Sequence, residues 1–98
     1  MSHISEISWH VTPFRAQRWL DLWEPAAAKA TDYGAESWQI YRSTEDPLLF
    51  RQVSVWDRKS DFESYWYSDE ICEYREGIID LYDKPLLPVW NTPIASGQ

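Results

Sequence analysis

Ninety-eight residues make one domain, 1–98, with room for a single two-layer core and so little to spare that a partner subunit adds usefully to the buried surface. The net charge of −7, with nine Lys and Arg scattered along the chain, excludes a basic stripe for nucleic acid and a polybasic patch for an anionic membrane. A single cysteine, Cys72, excludes an internal disulfide; no window reaches the ~18 apolar residues of a membrane span, and the start of the chain has no secretion-signal pattern, so a cytoplasmic location is expected.

Residues 4–12 alternate, with Ile7, Trp9 and Val11 against Ser8, His10 and Thr12, which predicts a first strand closed by Pro13. Thr12 followed by Pro13 suits a helix start, and Phe14, Arg18 or Trp19, Leu22 and Trp23 fall at helical spacing. Pro25 deletes a hydrogen bond from that helix, so a kink or break is expected before Ala26-Ala27-Ala28 resumes it and Gly34 caps the region. A second strand over 36–43 sets Trp38, Ile40 and Arg42 against Ser37, Gln39 and Tyr41. Thr44-Glu45-Asp46-Pro47 is a compact turn that joins it to the third strand as a hairpin.

The stretch 48–76 carries the pattern around which the rest is organised. Its strand alternates between Phe50, Gln52, Ser54 and Trp56 on one face and Leu49, Arg51, Val53 and Val55 on the other. The aliphatic face reads as ordinary core, and the aromatic and polar face reads as the lining of a pocket. Ser60-Asp61-Phe62-Glu63 then matches a capping box, and Ser68-Asp69 signals a second start, predicting two helical pieces with a break near Ser68. Residues 84–90 hold Pro85 and Pro88, which places a last strand at a sheet edge or crossing to another subunit, ahead of a loosely held tail.

The order is therefore βαββαβ: an α+β, ferredoxin-like plan, with an antiparallel sheet, both helices on one side and the other side left to be covered. Seven tryptophans, each bringing ~150–250 Å² to be hidden, exceed what so small a core needs. The surplus points to a dimer interface or a ligand cavity.

The order of elements, the hairpin turn with Asp46-Pro47, and the strand ending in Trp56 followed by charged residues, Phe62 and Tyr65-Trp66-Tyr67-Ser68-Asp69 resemble the antibiotic biosynthesis monooxygenase family of dimeric α+β barrels. That resemblance implies a homodimer in which two sheets pack face to face, with a small pocket between each sheet and its own helices. Some members of the family oxidise aromatic phenols with molecular oxygen and neither metal nor flavin, others open haem, and others have no assigned substrate. The cofactor-free members carry an amide four positions before the strand-end tryptophan, where this chain has Gln52 before Trp56. The haem-degrading members carry an iron-ligating histidine on the second helix, where this chain has Arg75, so the resemblance implies no haem. Neither His3 nor His10 has a second ligand at recognisable spacing, so no metal and no cofactor are expected.

The reading that follows is a cofactor-independent monooxygenase-like protein acting on a small aromatic or polyketide-type molecule. Gln52 would hold a phenolate or oxyanion, Trp56 would stack on a planar substrate, and His10 would act as base. Arg75 would clamp an anion, while Phe62, Trp66 and Tyr41 complete the expected lining. Each has a plainer reading: Gln52 bridging polar groups, Trp56 filling volume, His10 a structural strand histidine, Arg75 paired with Glu76 or with an acid one turn away such as Glu70. The rival function is a non-catalytic dimer of the same fold, structural or binding a small ligand. A solvent-connected cavity beside Gln52 and Trp56 separates the two.

Overall fold

A computed structural model describes residues 2–97. The alternating stretches form β1 (His3–His10), β2 (Ala35–Arg42), β3 (Leu49–Trp56) and β4 (Val89–Asn91), and the stretches of helical period form α1 (Ala16–Ala28), α2 (Lys59–Trp66) and α3 (Asp69–Gly77). The strands lie in the order β2-β3-β1-β4 with every neighbouring pair antiparallel, which is the ferredoxin-like α+β arrangement expected. β4 begins only at Val89, after Pro85 and Pro88, and lies at the sheet edge as expected, shorter and later than 84–90.

The register of β1 on β3 sets Ser5 opposite Ser54, Ile7 opposite Gln52 and Trp9 opposite Phe50. All six side chains are buried under the helices, together with Trp19 and Trp23 of α1, Phe62, Tyr65 and Trp66 of α2, and Ile71 of α3. The core is thus built on the aromatic and polar face of β3, and the aliphatic face is the open one. This reverses the expected assignment. The helices supply the apolar partners as indole and phenyl rings, so the strand face that meets them is the aromatic one; Val53 and Val55 face outward with Ile4 and stay part-exposed.

Local chemistry explains the other departures. The helix does not begin at Thr12-Pro13. Phe14 takes φ 67°, a left-handed conformation that a bulky side chain rarely adopts and that stops a helical run, and α1 starts only at Ala16. α1 then passes through Pro25 without ending. Pro25 is solvent-exposed while Trp23, Ala26 and Ala27 around it are fully buried, and that packing outweighs one lost hydrogen bond. Gly34 caps the region as expected, at φ 110°.

The capping box does not form, because α2 already begins at Lys59 and puts Ser60 inside the helix. The second start is real: Ser68 Oγ accepts from Ile71 N at 3.3 Å and opens α3 after a break at Tyr67 and Ser68. No helix among the described residues is long and apolar enough to cross a membrane.

Candidate functional site

Gln52 lies midway along β3, pointing at the helices, and is 1% exposed. An amide in that position must find partners or lose ~1–3 kcal/mol. Its Oε1 accepts from Trp23 Nε1 at 2.8 Å and from Trp9 Nε1 at 3.1 Å. Its Nε2 donates to the Tyr65 hydroxyl at 3.3 Å, and that hydroxyl donates to the carbonyl of Ala26 at 2.8 Å. An indole N–H only donates, so the two tryptophans fix which end of the amide faces them. Burial pushes the Tyr65 hydroxyl far above the ordinary tyrosine range, against the opposing influence of the Gln52 hydrogen bond.

Trp56 is fully buried. Its Nε1 donates to Ser54 Oγ at 2.8 Å, and its ring packs against Phe62 at 5.7 Å and Tyr65 at 5.8 Å between centroids. Phe62 in turn lies parallel to Trp66 at 5.8 Å and meets Trp90 edge-on at 5.2 Å. The space expected for a planar ligand beside Gln52 and Trp56 is occupied by the protein's own rings, with Trp9 touching Trp19, Trp23, Trp66 and Tyr82.

Arg75 joins the same cluster from α3. Its guanidinium sits 4.1 Å over the Trp66 ring, Nη1 donates to the Trp66 carbonyl at 2.7 Å and Nη2 to Cys72 Sγ at 3.2 Å. Of the acids expected as its partner, Glu70 instead binds Lys29 at 3.2 Å and Tyr33 at 2.9 Å. These two contacts, the Tyr33 hydrogen bond first, hold the Glu70 carboxyl below its usual range.

The sequence candidates therefore divide. Gln52, Trp56, Phe62, Trp66 and Arg75 form one contiguous group between sheet and helices, whereas His10 and Tyr41 are exposed, with Tyr41 at 55%. Tyr41 is paired with Arg51 and His10 with Leu49, which puts both on the open face with the sheet between them and Gln52. His3 meets Trp90 edge-on at 6.3 Å, and the described residues contain no group of three or more His, Cys, Asp or Glu placed to hold a metal ion.

The residues missed in the sequence are Trp9, Trp23 and Tyr65 as partners of the amide. A signal for Trp9 was present: it shares the inward face of β1 with Ile7, the residue that registers with Gln52.

No family model and no curated protein sequence matches the chain. Solved structures do. A protein from Nitrosomonas europaea named "putative antibiotic biosynthesis monooxygenase" superposes at TM-score 0.84 with 13% identity, over 95% of this chain and 90% of the other. One of the same name from Caulobacter crescentus gives TM-score 0.83 at 11% identity, over 96% and 91%. A conserved protein from Methanosarcina mazei gives 0.81 at 15% identity, over 93% and 91%.

The fold is that of the antibiotic biosynthesis monooxygenase-like α+β domains. At such identities the likeness is one of backbone arrangement, and the chemistry has to be read from this chain's own side chains. In this monooxygenase-like fold, the amide at position 52 and the tryptophan at 56 keep the spacing noted in the sequence, but each polar atom they carry towards the helices is engaged within the protein.

Proposed function

We propose that the chain is a non-catalytic homodimer of the monooxygenase-like fold, in which the space used elsewhere for a substrate is filled by aromatic side chains. One observation carries this reading: the Gln52 carboxamide is buried and already bonded to Trp9, Trp23 and Tyr65. An oxyanion-binding amide must aim its N–H at a place a substrate can reach, and here the oxygen and one N–H of Gln52 are engaged while Trp9, Trp23 and Tyr65 close around it. Turning Gln52 towards a substrate would strand two indole N–H groups in the core.

Dimerisation through the open sheet face is supported by the composition of that face. Ile4, Leu49, Val53 and Val55 give it an apolar centre, and its two central charges, Glu6 and Arg51, already pair at 3.8 Å, which reduces the penalty of covering them. A stable dimer needs about 800 Å² buried on each partner.

The second reading, oxygenation of a small aromatic or polyketide-type molecule without a cofactor, is favoured by the names of the structures that share the fold. Oxygen uptake with a panel of hydroquinones and anthrones decides between them. The non-catalytic reading predicts rates equal to those without protein. Uptake above that level, lost in both Gln52→Ala and Trp56→Phe, would establish the oxygenase reading instead.

A further inference from the structure

A groove of ≈ 380 Å³ lies between α1 and α3, lined by Leu22, Glu70, Glu73, Tyr74, Gly77 and Ile78. None of its walls comes from the sheet, so it is separate from the filled space around Gln52. Its volume falls within the range of about 300–1,000 Å³ usual for small-molecule sites. Glu70, Glu73, Tyr74 and Gly77 are spaced three and four apart on α3 and so share one face of that helix. Leu22 of α1, 37% exposed, and the buried Ile78 supply apolar walls.

The geometry points to a binding site for a small organic ammonium ion with an apolar body. Two carboxylates and no Lys or Arg line the groove, with Lys29 beside it in its pair with Glu70. Glu70 is held in place by Lys29 and Tyr33, which leaves Glu73, exposed on α3, as the carboxylate free to swing to a ligand. Tyr74, Leu22 and Ile78 receive the hydrocarbon, and the net charge of −7 concentrates cations around the whole protein. Gly77 adds no side chain to that wall, and a Cβ placed on it would meet no other atom within 4 Å.

The test uses 2-phenylethylammonium and its neutral counterpart 2-phenylethanol, with the Leu22 and Ile78 methyl signals followed by NMR. The cation is expected to shift both signals saturably, with the neutral compound and the Glu73→Gln variant each giving binding weaker by about fivefold. The proposal is overturned if no saturable shift occurs, or if the neutral compound or the Glu73→Gln variant binds as well as the cation binds the wild type.

Discussion

Trp23 donates its indole N–H to Gln52 Oε1 at 2.8 Å, from the helix α1 to the centre of strand β3. The side chain that looked most like a catalytic amide is thereby a hub of the core. One turn earlier in α1, Trp19 is equally buried, yet its N–H has no hydrogen-bond partner among the described residues.

The two tryptophans should therefore respond differently to the same change. Trp23→Phe loses a hydrogen bond as well as volume, whereas Trp19→Phe loses volume and relieves an unsatisfied donor. Urea unfolding should show Trp23→Phe less stable than Trp19→Phe by about 1 kcal/mol, or about 4–8 °C in Tm for a domain of this size. Equal losses would mean that the hydrogen bond to Gln52 adds nothing.

Tyr65 gives the fold a pH dependence at the alkaline end. Its folded pKa is raised, chiefly by burial, so the native state holds the phenol proton more tightly than the unfolded chain. The associated stability is complete below the ordinary tyrosine pKa of about 10 and is lost as pH rises above it. Tyr82 is shifted in the same direction, also by burial. Stability measured from pH 8 upward should fall beyond about pH 10. Tyr65→Phe should make that fall shallower, at a cost of ~1–2 kcal/mol near neutrality from the lost bond to Ala26.

Arg75 clasps α3 to the end of α2 through the Trp66 ring and carbonyl. Arg75→Ala should cost ~1–3 kcal/mol, the sum of a partly desolvated cation–π contact and a charged hydrogen bond, and Arg75→Lys should recover only part because a point charge cannot both stack and donate in plane. Adding haem to the wild type should leave the Soret band unshifted. A shifted band would bring back the haem reading that arginine in place of a ligating histidine argues against.

The open face carries the oligomer prediction. Val53 and Val55 lie at its centre, and in a two-fold dimer through this face a carboxylate there would be buried against the partner sheet. Light scattering should give a dimer for the wild type and a folded monomer for Val53→Asp. A wild-type monomer at micromolar concentration would remove the barrel from the account.

Much of the fold was legible because it depends on period and punctuation. Alternation at Ile7, Trp9 and Val11, the turn before Pro47 and the cap at Ser68 each specify local geometry whatever surrounds them. The polarity of the sheet was not legible, because β3 has one face of aliphatics and one of rings with an amide. Which face is core depends on what α1 and α2 present, and they present Trp19, Trp23, Phe62 and Trp66. The candidate residues were legible as neighbours and their packing was not. The family resemblance picked out Gln52 and Trp56, but the filling of their surroundings by Trp9, Trp23 and Tyr65 depends on contacts 43, 29 and 13 residues away in sequence.

Hydrogen exchange at the Trp9 and Trp23 indole N–H groups tests the central claim most directly, because both protons lie on the Gln52 oxygen. If the amide is a closed structural hub, both should exchange only as fast as global unfolding allows, and Gln52→Ala should speed both markedly. Rapid exchange in the wild-type protein would reveal a solvent-connected cavity at Gln52 and contradict the account.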